Sequence, residues 1–139
     1  MRPDGYTLTP WSRGKSLVWD FTCRHTVCKT HVKKAAKELG KAAEEAYVEK
    51  MQKYEALSRR YHVLPVATET HGAIAARSLR FLRELGSRLA SESGDNRSTA
   101  FLLQQLSVAV QRGNAACVME SVLEGTAYAD CWNSDFHPV

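Results

Sequence analysis

Asp4 stands in Met1-Arg2-Pro3-Asp4-Gly5, and Asp20 lies in the run Ser16-Leu17-Val18-Trp19-Asp20-Phe21-Thr22. A Pro-Asp, a hairpin-sized gap and an acid at the end of a hydrophobic strand can set two carboxylates side by side. Two such carboxylates suit a hard cation. Mg²⁺ typically takes one or two of them and fills its other positions with water and substrate phosphate. The chemistry expected of that site is phosphodiester hydrolysis, because the metal acidifies its water and neutralises developing charge. Asp4 and Asp20 are therefore candidate ligands of Mg²⁺ or Mn²⁺.

Lys50 is the candidate third group. The stretch over 33–60 is rich in Ala, Glu and Lys and predicts one long helix. Wound at about 100° per residue, Ala36, Leu39, Ala43, Ala46, Tyr47, Tyr54 and Leu57 gather into an apolar arc of roughly 120°. Lys50 falls near its middle and Lys53 at its edge. A lysine centred on a buried stripe is costly unless its charge is paired. Snorkelling is the plain alternative: the stem packs and the ammonium reaches solvent. Asp4 and Asp20 would supply the negative charge that an inward lysine needs. Lys50 could then orient a water or stabilise the pentacovalent state as a point charge. Tyr54, one turn on, would lie beside it and reach the phosphate or its water.

Strands and helices must position these groups. Tyr6-Thr7-Leu8-Thr9 alternates, Pro10 and Gly14 bracket a turn, and 16–22 forms the second strand. A polar connection over 23–32 leads to the long helix. A third strand is expected over 61–68, with Pro65 marking an edge or a bulge. An amphipathic helix follows over 76–91, with Leu79, Leu82, Leu85 and Leu89 on one stripe. Ser98 caps a further helix through Gln111, Gly113 is a plausible stop, and a short helix follows over 115–123. The chain reads as one α/β domain over 1–124 with an irregular tail over 125–139.

Composition narrows the class. The 139 residues suffice for one modest core, and a net charge of +4 permits a polyanionic partner. No apolar stretch approaches the roughly 18 residues of a membrane span, and the polar N-terminus lacks a signal-peptide core. An intracellular protein is expected, with Cys23, Cys28, Cys117 and Cys131 as thiols.

These residues carry a resemblance. Arg2-Pro3-Asp4-Gly5, Leu17-Val18-Trp19-Asp20-Phe21-Thr22, Glu49-Lys50-Met51-Gln52-Lys53-Tyr54 and the run from Val63 to Gly72 follow in order. The arrangement resembles the restriction-endonuclease-like domain at the C-terminus of non-LTR retrotransposon polyproteins, a branch of the PD-(D/E)XK nucleases. It covers roughly 2–116. The resemblance implies a small mixed sheet flanked by helices and nicking of target DNA to prime reverse transcription. It also implies nuclear location and contact with DNA and with the parent element's RNA. Asp4 matches the Pro-Asp acid, Asp20 the second acid, Lys50 a lysine moved from strand to helix, and Tyr54 the tyrosine after it. This sequence departs from the pattern in two ways. No lysine stands two residues after Asp20, and the family's first helix is missing before Asp4. A site acid at the fourth residue leads us to expect the C-terminal part of a longer reading frame.

Other constellations are weaker. Cys23, His25, Cys28 and His31 could in principle hold zinc, but their spacing matches no usual knuckle. Glu69 could add an acid to the metal site, and more often such a residue caps the next helix; His71 lies beside it in the same loop. Arg77, Arg80, Arg83 and Arg88 form a solvated face that could meet phosphates. Two functions follow: a DNA endonuclease, active or degraded, and a nucleic-acid-binding or interaction module that has lost the chemistry.

Overall fold

The computed structural model describes residues 2–29 and 32–124. His31 and the tail over 125–139 lie outside them. The described chain is a mixed α/β fold built on a three-stranded sheet in the order β1-β2-β3. Strand β1 is Gly5–Tyr6, β2 is Leu17–Arg24 and β3 is His62–Glu69. Strands β1 and β2 are antiparallel, and β2 and β3 are parallel. The hairpin turn closes through Ser12 and Lys15, with Arg13 at φ 47° and Gly14 at φ 72°. Two successive left-handed residues match the right-handed twist of the flanking strands, although only Gly14 adopts that region freely.

The parallel pair needs a crossover, and three helices supply it: α1 at Val32–Ala35, α2 at Lys41–Lys53 and α3 at Glu55–Ser58. The single helix expected over 33–60 is therefore broken. Helix α1 ends at Ala35, Gly40 at φ 82° is the left-handed N-cap from which α2 starts, and Tyr54 separates α2 from α3. Leu39, expected on the buried arc, is consequently 83% exposed. The arc survives within α2, where Ala43, Ala46 and Tyr47 pack on Ala67 and Ala75.

The other sheet face is covered by α4, Ala76–Ser93, backed by α5, Ser98–Glu124. Leu17 and Val66 meet Phe81 and Leu82 there, with Leu102, Leu103 and Leu106 of α5 behind. A methyl group on Gly86 would sit 2.5 Å from Thr99 Oγ1, so the two helices approach each other closely at that glycine. Pro65 does lie on an edge strand, as its missing N–H requires. Ser78 of α4 seals that edge. Its hydroxyl donates to the Pro65 carbonyl at 2.9 Å and accepts the Ala67 N–H at 3.0 Å.

Gly113 does not stop α5. A mid-helix glycine costs about 1 kcal/mol relative to alanine. Buried Val110 and Cys117, one turn to either side, hold the helix against the domain and outweigh that cost.

Candidate active site

Strand alternation decides which residues of β2 can meet α2. Val18, Asp20, Thr22 and Arg24 share one face, and Leu17, Trp19, Phe21 and Cys23 the other. The first set faces α2: Arg24 pairs with Glu49, and Asp20 with Lys50. The Lys50 ammonium stands 2.5 Å from Asp20 Oδ2. One turn further along, the Tyr54 hydroxyl donates to Asp20 Oδ1 at 2.8 Å. It also reaches the carbonyl of Arg2 at 3.2 Å, tying the N-terminal segment to the same point. Lys50, then, does not merely snorkel.

Asp4 arrives by register. Gly5 lies opposite Trp19 and Tyr6 opposite Val18, so one step outward brings Asp4 level with Asp20. Thr7 N–H donates to the Leu17 carbonyl, which makes 7 and 17 a hydrogen-bonded position. Counting outward, 4 and 20 fall at a non-bonded position, where side chains approach most closely. The next rung would pair 3 with 21, and Pro3 has no N–H to give the Phe21 carbonyl. The Phe21 N–H donates instead to the Asp4 carboxylate, at 2.6 Å from Oδ2. The Pro-Asp pair thus anchors Asp4 beside Asp20.

Burial differs sharply between the two acids. Asp20 is 4% exposed, while Asp4 is at the surface. Asp20 Oδ2 accepts no well-aligned hydrogen bond, so the Lys50 charge is its compensation. Tyr54 is buried, and burial pushes its phenol well above the usual tyrosine range. The hydrogen bond to Asp20 and the negative charges of Asp20 and Asp4 push the same way. The hydroxyl therefore stays a donor at any working pH. The Lys53 ammonium lies 5.3 Å from the centre of the Tyr54 ring, adding a second cation at the mouth of the site.

The four residues singled out from sequence are therefore neighbours. Glu69 is not with them. It is buried, and its Oε1 accepts N–H groups of Ala42 at 3.0 Å and Ala43 at 3.4 Å. Its work is to satisfy the N-terminus of α2, whose N-cap Gly40 has no side chain to do so. His71 is exposed. Of the zinc candidates, His31 lies outside the described residues; Cys28 donates its thiol hydrogen to the His25 carbonyl, and the described residues contain no group of three His, Cys, Asp or Glu placed to hold a metal. Arg77, Arg80, Arg83 and Arg88 are all exposed; Arg77 lies 5.7 Å over the Tyr47 ring centre, and Arg88 is occupied too. It stacks 3.6 Å from the Trp11 ring centre and pairs with Glu84.

Sequence reading missed the Arg24–Glu49 pair that brackets the site on the far side. A period-2 count from Asp20 would have put Arg24 on the same face. Nothing in the sequence gives the helix rotation that brings Glu49 to it.

No protein-family model matches the chain, and neither a curated protein nor a solved structure shows significant similarity to it. No helix among the described residues is long and apolar enough to cross a membrane. The class that fold and site define is thus an α/β domain with an acid–lysine–tyrosine cluster on its central strand.

Proposed function

We propose that this chain is a metal-dependent DNA endonuclease of the PD-(D/E)XK kind, related to the nicking domains of non-LTR retrotransposons and acting in the nucleus. One observation carries the reading. Asp20, Lys50 and Tyr54, from a strand and a helix some thirty residues apart, converge on one point beside Asp4. An α/β domain with a small mixed sheet and an antiparallel hairpin under the acids is compatible with that family.

The donor set fits a hard divalent cation. Two carboxylates on adjacent strands suffice for Mg²⁺ or Mn²⁺, and Asp20 Oδ2 is a buried oxygen with no aligned hydrogen bond. Asp4 and Asp20 would hold the ion. When bound, it would supply acidified water and charge neutralisation at the phosphate. Asp4, at the surface, is the acid that incoming substrate meets first. Tyr54 fixes the Asp20 carboxylate through Oδ1 and leaves Oδ2 pointing to the cluster. Lys50 offers a point charge to a phosphoryl oxygen, and Lys53 stands one turn away to hold the adjacent phosphate. The net charge of +4 favours that encounter.

A second reading rests on a different observation. Lys50 contacts Asp20 directly, and Asp4 is bound to the Phe21 N–H, so both carboxylates already have partners inside the protein. That arrangement suits a module that binds DNA, or the RNA of a parent element, without cutting. The deciding experiment is nicking of supercoiled plasmid by the purified chain in Mg²⁺, in Mn²⁺ and in EDTA. Cleavage that needs the metal and disappears in Lys50→Ala, Asp20→Ala and the surface variant Asp4→Asn supports the nuclease. DNA binding with no metal-dependent cleavage by the wild-type chain rejects it and favours the module.

A further inference from the structure

Helix α5 has two apolar faces, and among the described residues only one of them is covered. Its buried side runs through Thr99, Leu103, Leu106, Val110, Gly113 and Cys117 against α4 and the sheet end. The opposite side carries Phe101, Gln105, Val108, Arg112, Ala115, Met119 and Val122, all exposed. These seven positions are spaced alternately four and three apart, the heptad interval of a helix–helix seam. Exposure is high along it: 61% at Phe101, 40% at Val108, 67% at Met119 and 77% at Val122. Between 98 and 122 the helix has only two charged residues, Arg112 and Glu120. A solvated helix face would carry more charge, and an apolar patch this long is seldom left in water.

We infer that this seam pairs with the same helix of a second copy of the chain, making a two-fold dimer. The spacing selects the occupant, because knobs at heptad interval fit the holes of another α-helix. The area suffices as well. The seam runs about 32 Å along the axis. A helix pair of that length covers roughly 800 Å² per partner, the size of a standard stable interface. Arg112, the one charge in the seam, is the fourth of its seven positions, so full overlap brings the two copies of it together in either direction, where their stems pack and the guanidinium groups reach solvent. The seam is built by α5 alone, and this inference does not depend on the nuclease reading.

Sedimentation equilibrium of the full 139-residue chain tests it. The expected result is a dimer that becomes monomeric in Val108→Glu and in Met119→Glu with helical circular dichroism unchanged. Where a glutamate variant loses its circular dichroism, the glutamine variant at the same position replaces it. A wild-type chain that stays monomeric up to about 100 µM, where an interface of this size would associate, overturns the inference. So does a dimer that survives both substitutions.

Discussion

The Lys50 ammonium and the Asp20 carboxylate stand 2.5 Å apart, joining the crossover helix α2 to the central strand β2. Their side chains are 24% and 6% exposed, so the pair is mostly shielded from solvent. Removing one partner leaves the other charge buried and uncompensated, whereas removing both can be nearly neutral. Lys50→Met should therefore cost about 3 kcal/mol, and Lys50→Met with Asp20→Leu clearly less than the sum of the two single variants. Urea unfolding of the wild type, both single variants and the double variant measures this. A double variant as unstable as the sum of the singles contradicts the pairing.

Tyr54 makes stability depend on alkaline pH. Its phenol is raised above the usual value by burial, then by the hydrogen bond to Asp20 and by the charges of Asp20 and Asp4. A group raised in the folded state adds stability that is fully present below the unfolded value, about 10 for tyrosine. That contribution is lost as pH rises from there toward the folded value. Urea midpoints should hold up to about pH 9 and then fall, and Tyr54→Phe should flatten this fall while lowering stability at pH 7 by about 1.5–3 kcal/mol. Absorbance at the tyrosinate band, compared between wild type and Tyr54→Phe, should show that Tyr54 ionises only on unfolding. A difference between the two that appears while the protein is still folded at about pH 10 would contradict the buried hydrogen bond.

Glu69 connects β3 to the start of α2, receiving the N–H groups of Ala42 and Ala43. Glu69→Gln keeps an oxygen acceptor and loses the charge that favours a helix N-terminus. Glu69→Ala loses both and leaves those donors buried without a partner. We expect a loss of about 1 kcal/mol for the glutamine and about 2–3 for the alanine. Hydrogen exchange should report the change first at Ala42 and Ala43. Equal protection there in wild type and Glu69→Ala would show that the carboxylate does no such work.

Cys23 should be a slow nucleophile. Burial pushes its thiol up to about 11, Thr68 lowers it somewhat by hydrogen bonding, and the nearby Glu69 charge raises it. The thiolate is therefore scarce at neutral pH. Peptide-resolved alkylation with iodoacetamide at pH 7.5 should leave Cys23 unmodified in the native protein and modify it in urea. Fast native labelling at Cys23 would contradict its surroundings.

Much of the fold is visible in local pattern. Alternation in 17–24, β-branched residues in 62–69, the Leu stripe of α4 and the edge-seeking Pro65 each name their element, because a period of 2 or 3.6 records which side is dry. Two of the differences fall at glycines. Gly40 breaks a helix that composition favours, and Gly113 fails to break one. Helix propensity treats both alike; Gly113 is overruled by burial of Val110 and Cys117, a tertiary effect.

The site divides in the same way. Pro3-Asp4, the acid on a hydrophobic strand and the lysine on an apolar arc are properties of the sequence, since residue type and spacing determine which faces they occupy. Contact between them is not. Asp4 reaches Asp20 only because the hairpin register sets 4 opposite 20, and Lys50 reaches it only because α2 crosses that face at one rotation. Glu69 shows the converse: a residue with the right chemistry is diverted by the nearest helix N-terminus. Spacing along a chain fixes direction within an element, whereas distance between elements is set by packing, which no local pattern encodes.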